Sequence, residues 1–328
     1  ALLLAPRAPP ALAGRLGGPR AAASAAPAEQ WAACAYEITM LDTRSMPSGF
    51  DADAYWAMAA VINRAYAERF GYTFRFIQPA VNTSPLPFNV NWLKLLYLKE
   101  RLAELARSGG CTWVLYLDTD AVVREPDLAL PAFLGDLAAR YGPVAAASAI
   151  FAQEASIPAA FSPGEAPLFS FLGDGRPRPR GFRSPWRHVN AGVFFLKAGP
   201  RGGALLDAWL QSGRHDPRAR HAWPAEQGTL TELLFPGRYN TTLPPCPCHA
   251  RVAPHEGLRG AAAVVNFTEM NGPWGRFVQH DWSGPGGERR VGDFEDMLMR
   301  IGAAGPDRFS QLLLGVKGSS VAWAPGDF

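Results

Sequence analysis

The stretch Trp113-Val114-Leu115-Tyr116-Leu117-Asp118-Thr119-Asp120-Ala121-Val122-Val123 decides the fold. Trp113 to Leu117 is an uninterrupted apolar run, short enough for a strand and of the type buried on both faces of a sheet. Asp118 and Asp120 close it. On an extended chain a spacing of two sends both carboxylates to one side, where they can share a divalent cation. Apolar Ala121-Val122-Val123 follows, so the acidic pair is embedded in core-type sequence and does not read as a solvated loop.

The same grammar continues on the amino-terminal side. Cys34 to Leu41 reads as a buried first strand opening into Asp42-Thr43-Arg44. Ala54 to Phe70 carries Tyr55, Met58, Ile62, Ala65 and Tyr66 at helical spacing before Gly71 stops it, and Tyr72 to Ile77 is an aromatic-rich strand. After a loop from Pro79 to Pro87, Trp92 to Ala106 is helical, with Leu93, Leu96, Leu102 and Leu105 on its buried face and Ser108-Gly109-Gly110 at its end. Strands alternating with helices predict an α/β fold built on a doubly wound, mostly parallel sheet with helices on both faces. Such sheets bind ligands beyond the carboxyl ends of their strands, which places Asp42-Thr43 and Asp118 to Asp120 on one rim.

Beyond the acidic pair, Val144 to Ser148 is expected as a strand, and the Pro/Gly/Arg-rich stretch from Pro158 to Arg187 as an acceptor-side insertion over that rim. Val193 to Leu196 returns to strand, Ala204 to Leu210 and Glu226 to Leu234 to helix. Val264 to Phe267 and Phe277 to His280 read as strands, Phe294 to Ile301 and Phe309 to Leu314 as closing helices. There is no internal repeat. Residues 1–30, rich in Ala, Pro, Gly and Arg, lack the means to form a core and read as a disordered leader, stem or targeting remnant, leaving 31–328 as the folded domain.

The chain has 328 residues, 48% of them hydrophobic and 19% charged, which suits one globular α/β unit and excludes wholesale disorder. Its formal charge is +3, much of it from Arg7, Arg15 and Arg20 in the leader, so nothing calls for nucleic acid. No run is long enough to cross a bilayer; Leu2, Leu3 and Leu4 read equally as the tail of a lost signal or anchor and as chance leucines. Four cysteines are too few to define a disulfide scaffold. Cys246, Cys248 and His249 invite a zinc reading, but no second pair lies at finger spacing, so structural or disulfide cysteines are the better one. Three N-x-S/T acceptors, at Asn82, Asn240 and Asn266, lean toward a secretory-pathway lumen.

Other residues suit chemistry at that rim. Asn190-Ala191-Gly192 sets an amide and a small-residue turn at the mouth of the strand Val193 to Leu196. Glu226-Gln227 opens a helix, where a carboxylate suits the helix dipole. His280 ends a strand, and an imidazole beside two carboxylates is an acceptable ligand for Mn²⁺. Lys94, on the helix after Trp92, offers a cation to a diphosphate.

Taken together, Asn63 to Tyr72, Asn91 to Lys94, Trp113 to Asp120, Asn190 to Gly192, Glu226-Gln227 and His280 resemble, in order and spacing, the nucleotide-sugar transferases of the GT-A fold. The resemblance spans roughly residues 34 to 284. It is nearest to the yeast α-galactosyl and α-mannosyltransferases and the plant xyloglucan xylosyltransferases, with glycogenin-like enzymes second. It implies that Asp120, His280 and, less directly, Asp118 hold Mn²⁺ or Mg²⁺. It implies too that Asp42 and Thr43 line the nucleoside pocket, that Lys94, Asp118 and Asn190 touch the donor, and that Glu226 and Gln227 face the anomeric carbon as the catalytic pair. The activity implied is transfer of a hexose or pentose from a UDP- or GDP-sugar to a glycan or glycoprotein acceptor, with retention, in the Golgi or secretory lumen, the membrane being reached only through an anchor absent from this sequence. An inverting enzyme would need a base, for which the insertion offers Glu154 and Glu165. Departures are Ala191 where the plant and yeast enzymes usually have Thr, and the lack of the lysine that glycogenin-like enzymes place after the histidine, for which Arg289 or Arg290 would have to substitute. Two other readings are open. A nucleotidyltransferase would want a Gly-rich basic loop after the first strand, which Met40 to Gly49 does not supply. A lectin-like relative would have no use for an intact Asp118, Asp120 and His280.

Overall fold

The computed structural model describes residues 27–51, 54–80, 89–153, 189–215, 225–234, 260–265, 267–271, 275–280, 287–316 and 320–322. The insertion from Pro158 to Arg187, Cys246, Cys248, His249, Glu154, Glu165 and the three acceptor asparagines lie outside them.

A short helix α1 (Pro27–Ala32) leads into β1 (Ala35–Leu41), α2 (Tyr55–Phe70), β2 (Thr73–Ala80), α3 (Leu93–Ser108) and β3 (Thr112–Leu117). Helix α1 starts four residues inside the segment assigned to the leader. Then come β4 (Ala121–Val123), α4 (Leu130–Arg140), β5 (Ala149–Gln153), β6 (Val189–Lys197), α5 (Pro200–His215) and α6 (Ala225–Leu234). The remaining elements are β7 (Ala262–Val265), α7 (Phe267–Met270), β8 (Val278–His280), α8 (Gly287–Arg300), α9 (Pro306–Val316) and β9 (Ser320–Ala322).

Among the described residues seven strands form the main sheet in the order β7-β5-β6-β3-β1-β2-β9, and β4 pairs with β8 in a separate ribbon. β1 runs parallel to β2 and β3, while β6 enters antiparallel between β3 and β5. This is the doubly wound α/β arrangement expected of a GT-A fold. The apolar run of β3 divides by the period of a strand: Trp113, Leu115 and Leu117 face one core, with α2, α4, α8 and α9, whereas Val114 and Tyr116 face the other, with α3, α5 and α6. Burial on both faces explains why the sequence there is apolar without alternation.

At the opposite end of the sheet from the acidic pair, Cys34 and Cys111 form a disulfide just before β1 and β3, next to the register pair Ala35 and Thr112. It closes a loop of 77 residues, worth about 4 to 5 kcal/mol in chain-entropy terms. The glycine stop after α2 holds: Gly71 has φ 69°, a left-handed cap in which its N–H bonds Ala67 and Glu68 carbonyls.

Three expectations are corrected. Val144 to Ser148 is not a strand, because Gly142–Ala146 forms a 3-10 turn and β5 begins only at Ala149, where β6 and β7 supply its partners. The strand expected at Val264 to Phe267 ends at Val265, and Phe267 already opens α7. Asn190 to Gly192 lie within β6, which starts at Val189, so they are not a turn before it.

Helix α7 is pinned by charge. Glu269, 4% exposed, accepts from Arg140 and from Tyr141 Oη (2.9 Å) and Arg276 Nε (3.1 Å), and Arg276 also pairs with Asp136 (2.6 Å). Burial alone would raise this carboxyl, but the Arg140 and Tyr141 hydrogen bonds and the Arg140 and Arg276 charges hold it below its ordinary value. A carboxyl depressed on folding contributes stability above its unfolded pKa and loses it as pH falls through the folded value. Glu269→Gln is therefore expected to cost roughly 1 to 3 kcal/mol at pH 7. In thermal melts across pH, the gap from wild type should close as pH drops below about 4; a gap independent of pH would show that Glu269 acts only through shape.

Candidate active site

The site is built by the way β3 ends. After Leu117 the Asp118 N–H donates to the Gly192 carbonyl of β6 (2.7 Å), and the Ala121 N–H turns back onto the Asp118 carbonyl (2.9 Å). The chain thus leaves the sheet in a tight turn holding Asp118, Thr119 and Asp120 and re-enters extended structure as β4. Antiparallel pairing sets Ala121 opposite His280. In consequence the imidazole arrives beside the acidic pair, with Nε2 at 3.1 Å from Asp120 Oδ1. One ligand atom from each of Asp118, Asp120 and His280 falls within 4.8 Å of the others.

Gly192 tells what the gap between these groups can hold. A Cβ there would lie 2.5 Å from His280 Cε1 and 2.6 Å from Asp118 Oδ2, so the strand leaves out a side chain where the ligands converge. Two carboxylates and one imidazole, drawn together because residue 192 carries no side chain to keep His280 and Asp118 apart, fit a hard to borderline divalent ion. These three residues would hold it; bound there, it would offset negative charge on a substrate's phosphate oxygens.

Asp118 and Asp120 open onto a cavity of about 290 Å³ that Asp42, Thr43, Arg44 and Lys94 also line. Both oxygens of Asp42 are already engaged: Oδ1 by the Arg44 N–H (2.8 Å) and Nε (2.9 Å), Oδ2 by Arg44 Nη2 (2.5 Å) and Thr119 Oγ1 (2.5 Å). Arg44 lies over the rings of Trp56 and Tyr55, at 4.2 and 4.7 Å from their centroids. Asp42 therefore shapes the wall while Arg44 is its half-exposed charged face.

Lys94 is buried, donates to the Ala191 carbonyl (2.7 Å), and stands between Glu226 Oε1 (2.9 Å) and Asp118 Oδ1 (3.3 Å). Burial works against its charge, yet the two carboxylates raise its pKa above the ordinary lysine value. Glu226, equally buried, is pushed upward by burial, with Lys94 pulling the other way. Its Oε2 is buried without a hydrogen-bond partner. Tyr116 Oη donates to Asp118 Oδ1 (2.9 Å), and its own pKa is raised far above normal by burial and then by the Asp118 charge.

The residues singled out in the sequence thus fall into three groups. Asp42, Thr43, Lys94, Asp118 and Asp120 line one cavity, and His280 joins them through β8. Glu226 reaches Asp118 only through Lys94. Asn190 and Gln227 bond the β6 backbone, Asn190 Oδ1 accepting from Gly192 N (2.9 Å) and Val193 N (3.0 Å) and Gln227 Oε1 from Ala191 N (3.1 Å). Unforeseen were Arg44, Thr119 and Tyr116, which hold the rim, and Gly192 as the gap in the ligand cluster. Only Gly192 had a readable signal, as the small residue of the Asn-Ala-Gly motif.

No protein-family model matches the chain, and no curated protein does. Among solved structures, a glycosyltransferase involved in the glycosylation of the major capsid of PBCV-1 is similar, with a TM-score of 0.47 and 16% identity over 81% of this chain and 99% of that one.

Gly192→Ala should insert a methyl group among the ligands. Overpacking of that kind costs about 1 to 3 kcal/mol in thermal melts. The larger effect is expected in Mn²⁺ titration, where affinity should fall at least tenfold; unchanged affinity would show that the gap is not where an ion sits.

Proposed function

We propose that the protein is a metal-dependent glycosyltransferase that moves a hexose or pentose from a UDP- or GDP-sugar to a glycan or glycoprotein acceptor. The observation that carries this reading is the convergence of Asp118, Asp120 and His280, one ligand atom of each within 4.8 Å of the others, with both aspartates opening onto the 290 Å³ cavity. A nucleoside diphosphate leaving group develops charge as its bond to the sugar breaks, and the ion, Mn²⁺ or Mg²⁺, would neutralise it. Asp42, Thr43 and Arg44 form the wall for the nucleoside. Lys94 holds Asp118 and Glu226 at fixed separation, so the acidic pair is oriented before donor arrives.

Retention fits the residues at hand. Glu226 is the carboxylate we assign to the retaining step: it stands behind Lys94, outside the cavity lining, with one buried oxygen that has no hydrogen-bond partner, and Gln227 beside it steadies the β6 backbone. Residues 1–30 serve as stem or targeting remnant to a transfer domain spanning 31–328. A secretory or Golgi lumen accords with the three glycosylation acceptors and with the Cys34–Cys111 disulfide, a bond that persists where the surroundings are oxidising. Among the described residues no helix is long and apolar enough to cross a membrane.

The test is a screen of UDP- and GDP-sugars with Mn²⁺, reading released nucleotide. One donor should be turned over, and Asp120→Asn should abolish turnover, by at least 100-fold, with its melting temperature within a few degrees of wild type. Turnover by Asp120→Asn at the wild-type rate would remove the acidic pair from the chemistry. His280→Ala should raise the Mn²⁺ concentration needed for half-maximal rate; an unchanged metal titration would remove His280 from the site.

A further inference from the structure

Behind His280, on the side away from Asp120, stands Asn271, which follows directly on α7 and is 1% exposed. Its two amide ends are used differently. Nδ2 lies 2.7 Å from the Gln153 carbonyl at the end of β5, and a carbonyl oxygen only accepts, so the NH₂ end must face it. The other end, Oδ1, is thereby turned toward His280 Nδ1 at 2.7 Å. An amide oxygen also only accepts, so Nδ1 carries the hydrogen and donates. The Gln153 backbone thus dictates, through one amide, which ring nitrogen is left to face Asp118 and Asp120. His280 is 4% exposed and Asn271 still less, which leaves little room for water to stand in for that amide.

We propose that Asn271 is a positioning residue that fixes His280 in the Nδ1–H tautomer and presents Nε2 to the divalent ion. The inference rests on the metal reading above. A histidine ligand whose second nitrogen is held by an acceptor is locked in ring orientation and made more basic, and loss of such a partner costs about 10 to 100-fold in metal affinity. The rest of the fold keeps Asn271 in place. Glu269, two residues earlier, anchors α7 through Arg140 and Arg276, and its carbonyl accepts the Phe277 N–H (2.9 Å), joining α7 to the segment that leads into β8.

Two substitutions separate this role from a merely structural one. Asn271→Leu removes both bonds. Asn271→Asp keeps an acceptor toward His280 Nδ1 and replaces the donor to Gln153 by an oxygen, so both variants give up the same tie to β5. Mn²⁺ is titrated into each purified protein by electron paramagnetic resonance of the free ion, and pulsed spectra of the bound ion are read for coupling to a directly bonded imidazole nitrogen. Wild type should show that coupling and His280→Ala should not. Asn271→Leu should bind Mn²⁺ about 10 to 100-fold more weakly with the nitrogen coupling lost or reduced, while Asn271→Asp stays within a few-fold of wild type and retains it. Equal impairment of the two variants, no impairment in either, or a wild-type spectrum without nitrogen coupling would overturn the proposal. Wild type and Asp120→Asn are titrated side by side as well. If wild type binds no Mn²⁺, or Asp120→Asn binds it equally well, the metal centre itself falls, an outcome distinct from a centre that binds through the carboxylates and ignores Asn271.

Discussion

Asn63, fully buried on α2, uses its side chain as a short extra strand: Nδ2 donates to the Ala121 carbonyl (2.8 Å) and Oδ1 accepts from the Val123 N–H (2.9 Å). The segment it grips, β4, has three residues and, among the described residues, pairs otherwise only with the equally short β8. A two-stranded ribbon of that length has no stability of its own. Without the amide, two buried backbone groups would be left unsatisfied, at about 1 to 3 kcal/mol each. Everything in the ligand cluster hangs on this ribbon, since β4 fixes where Asp120 leaves the sheet and the register of Ala121 against His280 fixes where the imidazole arrives.

The same turn is held from two other sides. Thr119, between the two aspartates, donates to Asp42 and accepts from Arg44 (3.1 Å), tying the turn after β3 to the loop after β1. Arg44 in turn is braced by the Trp56 and Tyr55 rings, a contact worth about 0.5 to 2 kcal/mol depending on exposure. From below, Lys94 and Tyr116 both bond Asp118 Oδ1. The aspartates are therefore held from several sides by their own protein neighbours, so their placement does not wait on a ligand.

How much of this was legible follows from the range of each interaction. β1, β2, β3, α2 and α3 declare themselves locally, because burial on two faces or one imposes a period that survives in the sequence. Helix α4 has such a period too, in Leu130, Phe133, Leu134 and Leu137, yet it went unread behind the acidic pair. In Val144 to Gln153 the sequence is apolar almost throughout, so only pairing with β6 and β7 sets where β5 begins. β4 and β8 are shorter than any periodic signal. His280 was reachable as a ligand type at a strand end, but Asn63 and Asn271 are single amides in ordinary surroundings, and each is oriented by a backbone partner far along the chain, 58 residues away for Asn63 and 118 for Asn271. The Cys34–Cys111 bond, across 77 residues, has the same non-local origin.

Charge at the rim gives the metal reading a reason beyond geometry. Four carboxylates, those of Asp42, Asp118, Asp120 and Glu226, gather there with two side-chain cations, Arg44 and Lys94, on the described elements. Arg44 is committed to Asp42, and Lys94 is shared between Glu226 and Asp118 inside the protein. A diphosphate entering this cleft would meet excess negative charge, and in a partly desolvated site that repulsion is not screened as it would be in water. Moving Lys94 outward would strand Glu226 as a buried carboxylate without its cation, at a cost of several kcal/mol. A divalent ion held by Asp118, Asp120 and His280 would remove the conflict without disturbing the lysine, by balancing the two carboxylates and the charge of the incoming phosphates. The lysine that the sequence first suggested for the diphosphate is thus better understood as the internal counter-ion that lets the acidic rim exist before the ion binds.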